Sequence, residues 1–289
     1  MSATARRVVV VTGASSGIGR ETALELLRQG WEVIGTGRDA GRIAAVEAAI
    51  AAEGLSERFT MLRADLALMA DAVRLAGEIA GLTDRVDVLV NNAGGMTDRL
   101  EMTAEGLEAN FAGNHLGPFV LTDRLLPLLR AAAGGAAAGA VRIVMTASDA
   151  SEMLPALDLD DIQCLARFNP GMSYCAGKLA NVLFAKGLAA RLEGSGIVAH
   201  SMAPGAVSSN FYSRAPQDTR ERLQDMSMFS EVEGADTLIW LATAAEPGRS
   251  SGGYWEKRQP RQPNPLADDP AVVERFWQES KKLVASAGV

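Results

Sequence analysis

Tyr174 and Lys178 stand four residues apart in a helical pattern, so they share one face of the helix. A phenol with a pKa of about 10 is a poor acid or base at neutral pH. An ammonium beside it favours the phenolate and lowers that value. Such a pair can pass a proton to or from an alcohol oxygen. Ser148 follows the apolar run 141–146, where its hydroxyl could hold a carbonyl or hydroxyl oxygen beside Tyr174. Asn114 lies in a helical stretch of Ala, Gly and apolar residues, and its amide could hold a water that links Lys178 to solvent. Taken singly, a Tyr-x-x-x-Lys pair arises by chance and a serine at a strand end is mostly a turn residue.

A second constellation raises their weight. The run Val8–Val11 leads into Thr12-Gly13-Ala14-Ser15-Ser16-Gly17-Ile18-Gly19, and a helical pattern follows. Without a Cβ at 13, 17 and 19 the backbone can approach a bulky anion. The helix start adds free N–H groups and the positive end of its dipole. A βαβ unit holds a dinucleotide pyrophosphate in this way, which makes Gly13, Ser15, Ser16, Gly17, Ile18 and Gly19 candidate cofactor contacts. The rival reading is a structural turn.

Gly35-Thr36-Gly37-Arg38-Asp39 follows the second strand, where such a site meets the adenosine ribose. Arg38 can grip a 2'-phosphate through a charge-assisted contact, so NADP(H) is favoured and NAD(H) is the alternative. Asp39 caps the next helix or reaches the ribose. Asp65 and Leu66 follow the third strand, and the Asp65 carboxylate either accepts the adenine amino group or caps a helix. Asn91-Asn92-Ala93-Gly94-Gly95 closes the fourth strand. Asn92, Ala93 and Gly94 let the chain pass close to adenine and ribose, while Asn91 can tie strands together. Pro204, Gly205 and Val207 follow the sixth strand, at the end of the sheet where the other polar clusters fall.

The elements that must position these groups are short apolar strands alternating with helices. Strands are predicted at 7–12, 31–36, 59–63, 87–91, 141–146 and 196–202, with a seventh near Gly253-Tyr254-Trp255. Helices are predicted at 18–29, 39–53, 69–80, 103–115, 117–131, 173–193 and 268–285, and at 231–245 with Ser230 as cap and Glu233 at its third position. This alternation means a Rossmann-like, doubly wound α/β parallel sheet of about seven strands with helices on both faces. Ligands bind beyond the C-terminal ends of such strands, where the polar clusters fall. One domain is expected over 1–289, with a substrate flap at 149–172, a lid at 206–230 and a C-terminal extension at 256–289. The Pro-rich stretch 258–265 reads as an extended surface connection.

The 289 residues carry a formal charge of -7 and no Lys/Arg block, which argues against a nucleic-acid surface. No stretch is long and apolar enough to span a membrane, and the first strand begins too early for a signal peptide, so a cytoplasmic protein without a membrane anchor is expected. Cys164 and Cys175 are too few for a disulfide framework. No His/Cys/Asp cluster has zinc spacing, so no metal is expected. His115 and His200 read as packed, structural histidines.

Together, Thr12–Gly19, Asn91–Gly94, Asn114, Ser148, Tyr174-Cys-Ala-Gly-Lys178 and Pro204-Gly205 resemble the short-chain dehydrogenase/reductase family, over about residues 6 to 256. Asn114-His-Leu-Gly-Pro-Phe119, Ser173–Phe184, Arg275-Phe-Trp-Gln-Glu-Ser280 and the 26-residue gap from Ser148 to Tyr174 resemble its retinol-dehydrogenase-like branch. The resemblance implies Ser148, Tyr174 and Lys178 as a catalytic trio, Asn114 as the end of a proton relay, and Ser209 as a contact to the nicotinamide amide or the phosphate, with the backbone around Val207 facing the nicotinamide. It implies hydride transfer between a nicotinamide cofactor and an alcohol or carbonyl. Ala147 and Gly177 replace serines common in the family without removing a catalytic group. Phe211, Tyr212, Met226, Met228 and Phe229 suggest a mobile lid over a small apolar alcohol or carbonyl substrate, the alternative being a plain amphipathic surface helix. The competing expectation is a nucleotide-binding structural or regulatory protein. A homodimer is expected through the helices 103–131 and 173–193.

Overall fold

Val8–Val11 form β1, and alternate residues of this strand face opposite sides of the sheet. Val8 and Val10 pack into one apolar layer, Val9 and Val11 into another. That is the signature of a strand buried on both faces, and it sets the architecture. A computed structural model describes residues 6–224 and 226–289.

The chain runs from β1 to α1 (Gly17–Arg28), β2 (Glu32–Gly37), α2 (Ala40–Ala52), β3 (Phe59–Arg63), α3 (Met69–Leu82) and β4 (Val88–Asn91). A helix then passes through α4 (Ala109–Phe111), a π turn (Ala112–Leu116) and α5 (Gly117–Ala133) without a break. β5 (Val141–Thr146), α6 (Pro170–Arg191) and β6 (Ile197–Met202) follow, then α7 (Gln217–Gln224), α8 (Glu231–Thr243), β7 (Tyr254–Glu256), β8 (Gln259–Pro260) and α9 (Pro270–Ser286). The strands form one sheet in the order β3-β2-β1-β4-β5-β6-β7-β8. All neighbours are parallel except β7 and β8. The chain order reverses beside β1, and this crevice between β1 and β4 is the topological switch point of a doubly wound sheet. α3, α5, α6 and α9 contribute to one apolar layer, α1, α2 and α8 to the other.

The Rossmann-like reading holds, with two local corrections. The sheet has an eighth strand where a plain surface connection was expected. Lys257 and Arg258 form its two-residue turn at φ 49° and 61°, a left-handed geometry that usually selects Asn-Gly. Arg258 is held there by the Asp236 carboxylate and by the Thr237 hydroxyl, which accepts its amide at 3.2 Å. The helix predicted from 103 begins at Ala109 instead. Residues 102 and 108 form an isolated antiparallel bridge, and the buried Glu108 carboxylate caps the helix through the amides of Asn110 and Phe111 at 3.0 and 2.6 Å. At α8 the Ser230 and Glu233 capping box forms as expected.

The C-terminal part changes what the surfaces can do. α9 lies on α6, with the Trp277 ring 4.9 Å from Phe119 and 5.4 Å from Phe184. Leu179, Ala180, Val182 and Leu183 are buried within the single chain. These residues of the α6 helix, expected to help pair two subunits, are thus buried within the single chain, and α9 packs against the same helix. Segment 149–172 is fastened to the same part of the chain. Asn264 donates to the carbonyls of Ser151 and Leu154, and Arg275 pairs with Asp160. Among the described residues no helix is long and apolar enough to cross a membrane.

Candidate active site

A cleft of about 670 Å³ runs along the C-terminal ends of β1 to β6. Every cofactor and catalytic candidate singled out from the sequence lines it, from Gly13 through Ser209. Its floor is built from glycines for a steric reason. Gly13 (φ +71°) and Gly17 (φ +60°) have left-handed backbones that side chains avoid. A Cβ at Gly19 would collide with the Gly13 carbonyl and the Asn92 side chain. Thr12 staples this loop to the next, because its hydroxyl accepts the amides of Asn92 and Ala93, each at 2.9 Å. Asn91 donates to the Thr122 hydroxyl at 2.9 Å and points towards Met145, so it ties β4 to α5 and β5. Ser16 begins α1, and its hydroxyl makes no capping bond.

At the far end, Arg38 and Arg42 reach the same part of the cleft as Ser15 and Ser16. Asp39 is spent on the α2 cap, accepting the Arg42 amide at 2.8 Å. Asp65 takes the Ala67 amide at 3.1 Å, within its own turn, and stands 4.0 Å from Arg38. The start of α3 is capped by Glu105 instead. Arg42 escaped the sequence reading because its cation lies one helical turn past the strand end.

At the near end Ser148, Tyr174 and Lys178 come together. Lys178 is buried and donates to the Thr146 carbonyl at 3.2 Å. Burial lowers its pKa to about 8. Tyr174 is pushed well above the usual phenol range, chiefly by desolvation. The neighbouring Ser148 hydroxyl works the other way, and Tyr212 and Asp149 add to the rise. The sequence suggested a phenol lowered by its lysine. The ammonium instead lies 5.8 Å from the Tyr174 ring centre and is aimed at β5, so desolvation decides the outcome.

Asn114 falls in the π turn, a local widening that often marks functional sites. Its amide group donates to the Gly95 carbonyl and to Asn110, while its Oδ1 accepts the Gly95 amide at 3.2 Å. The amide hydrogens are therefore taken, and the remaining capacity for a water is one lone pair on Oδ1. A Cβ at Gly94 would strike that oxygen and come within 3.5 Å of Lys178 Nζ.

The Phe211 ring, in the segment expected as a lid, lies 5.7 Å from the Tyr174 ring and 5.7 Å from Lys178 Nζ. The segment 206–230 is joined to the loop after β4 by Arg214, which donates to both Glu101 oxygens at 2.8 Å. Met96, Thr97 and Asn110 complete this end of the cleft, and the sequence had given no signal for them. His115 is enclosed by Phe111, Phe119, Phe184 and Phe276 and bonded to Ser280, and burial lowers its pKa to about 3. It packs rather than titrates. His200 bonds to the Pro247 carbonyl and accepts from Trp255. Among the described residues no group of His, Cys, Asp and Glu is placed to hold a metal ion.

A nucleotide cradle joined to a Ser/Tyr/Lys cluster across a doubly wound sheet defines a dinucleotide-dependent oxidoreductase. The chain belongs to the short chain dehydrogenase family, whose pattern matches residues 7–220. It is 34% identical to retinol dehydrogenase 13 of Homo sapiens over 286 residues, covering 96% of this chain and 84% of that one. It is 35% identical to polyprenol dehydrogenase of Mus musculus over 287 residues, covering 98% and 85%. Among solved structures it is similar to the RhlG/NADP active-site complex of Pseudomonas aeruginosa, with a TM-score of 0.68 and 28% identity over 86% of this chain and 93% of that one.

Proposed function

We propose that this chain is an NADP(H)-dependent oxidoreductase that interconverts a secondary or apolar alcohol and its carbonyl compound. The observation that carries the reading is the single cleft with Ser148, Tyr174 and Lys178 at one end and Arg38 and Arg42 at the other. Gly13, Gly17 and Gly19 leave the room a pyrophosphate needs, and Ser16 offers an uncapped hydroxyl at a helix start. Arg38 and Arg42 suit a 2'-phosphate, while Asp39, the carboxylate nearest the strand end, is occupied by its helix cap. The NADP named with the Pseudomonas structure agrees with this choice.

Bound in the cleft, the nicotinamide supplies or accepts a hydride. The protein's own residues handle the proton and the substrate oxygen. Tyr174, kept neutral by burial, gives its proton to that oxygen in reduction and takes it back in oxidation. Ser148 orients the oxygen beside the phenol. Lys178 holds the ribose hydroxyls, and the free lone pair of Asn114 can hold a water that reconnects the site to solvent. Ser209 and the Val207 backbone face the nicotinamide end. Met96 and Phe211 give the substrate end apolar walls. The isoprenoid alcohols in the names of two relatives are of matching character, which supports a reading of the chain as one of the retinol-dehydrogenase-like branch. Purified protein should oxidise NADPH faster than NADH against a panel of apolar ketones and aldehydes. Absence of turnover with both cofactors across the panel would overturn the reading.

A further inference from the structure

Ser148 leaves β5 into a 3₁₀ turn, Asp149–Glu152. Its main-chain carbonyl accepts two hydrogen bonds. One is local, from the Ser151 amide at 3.0 Å. The other comes from the Tyr254 hydroxyl on β7, 106 residues away and also at 3.0 Å. Tyr254 is 3% exposed, so water cannot readily replace that bond. The same hydroxyl lies 3.0 Å from Oε1 of Glu152. A phenol has one proton, so the two acceptors compete for it. Arg261 pairs with Glu152 at 2.7 Å and draws on its negative charge. Asn264 ties down the carbonyls of Ser151 and Leu154. The turn that carries Ser148 is thus stapled by a part of the chain beyond residue 220, outside the stretch that matches the family pattern.

We propose that Tyr254 is a positioning residue for Ser148. Its bond to the Ser148 carbonyl fixes where the serine hydroxyl stands relative to Tyr174, and Arg261 keeps Glu152 from taking that bond. Burial pushes the Tyr254 phenol above its usual range, so it remains a donor over the working pH. The proposal rests on the reading of Ser148 as the group that holds the substrate oxygen.

A double-mutant cycle on the full chain tests it, with NADPH and one apolar ketone. Tyr254→Phe should lower kcat roughly 3- to 10-fold, the worth of one hydrogen bond, and leave the KM for NADPH unchanged. In a Ser148→Ala background the same change should alter kcat by less than about 2-fold, because there is no hydroxyl left to position. A full loss in both backgrounds overturns the proposal alone, since a general structural defect multiplies. An unchanged kcat for Tyr254→Phe also overturns it. Full turnover by Ser148→Ala overturns the catalytic reading and this proposal with it. If Tyr254→Phe does not fold, Arg261→Gln supplies the same cycle from a half-exposed position. It frees Glu152 to take the phenol proton, so kcat should fall when Ser148 is present and hold when it is absent. A fall of equal size in both backgrounds overturns the proposal.

Discussion

Lys178 donates to the carbonyl of Thr146, so the cation of α6 is held by the end of β5 two residues before Ser148. Asn181, one turn further along α6, donates to the same oxygen at 3.1 Å. The strand end that presents Ser148 and the helix that presents Tyr174 are thereby fixed to one another by a buried charge.

That charge costs stability. Burial lowers Lys178 from 10.5 to about 8, which corresponds to roughly 3 kcal/mol against the charged form. The sign follows from the depressed folded value. The stabilisation is complete above pH 10.5 and is lost as pH falls through about 8. Lys178→Met should therefore unfold at a higher temperature than the parent near pH 6.5, measured without cofactor, with the gap closing towards pH 10.5. Asn181 keeps the Thr146 carbonyl satisfied in that variant. Turnover should be lost in the same protein. A lower midpoint at pH 6.5 would contradict the account.

Proton transfer is expected to run through Tyr174. Tyr174→Phe keeps the ring that packs on Phe211 and removes the hydroxyl. Cofactor affinity, followed by calorimetry, should change little, while turnover should drop roughly 10²–10⁴-fold. Near-normal turnover of a soluble ketone by this variant would remove the phenol from the reaction.

Cofactor choice is expected to rest on two arginines. Arg38→Ala should weaken NADPH binding by roughly 1.5–3 kcal/mol, the worth of a charged hydrogen bond, and leave NADH nearly unchanged. Arg42→Ala should act in the same direction, since it faces the same end of the cleft. Equal losses for both cofactors would show that neither side chain reads the 2'-phosphate.

The strands and the cradle were legible because each has a local cause. Val8–Val11 must be buried on both sides, and Gly19 sits where any Cβ collides with the Gly13 carbonyl. What escaped notice depends on long-range partners. β8 contains a proline and turns through Lys257 and Arg258, without the Asn-Gly signature of such a hairpin, and it is held by Asp236 on α8. Glu108 looks in sequence like a helical surface residue, yet it is buried as a cap. Tyr254 reads simply as a strand residue until its hydroxyl is seen at Ser148. Helical periodicity marked the α6 face as apolar but could not say that α9 of the same chain covers it.

That cover can be tested at Gly187. A Cβ there would stand 2.8 Å from Trp277 Cε3, so the indole fits because this helix position lacks a side chain. Trp277 is also stacked by the Arg191 guanidinium at 3.9 Å, and Arg191 pairs with Glu274, so α9 is held along one line of contacts. Gly187→Val should push the indole away and loosen α9 from α6. Phe119 and Phe184 would then lose their cover, and the thermal midpoint should fall despite the better helix propensity of valine over glycine. The uncovered face is apolar, so the variant should form concentration-dependent dimers or larger species. Light scattering of parent and variant over a range of concentrations decides the matter. A parent that pairs as strongly as the variant, with an unchanged midpoint, would show that α9 is not what keeps that face from association.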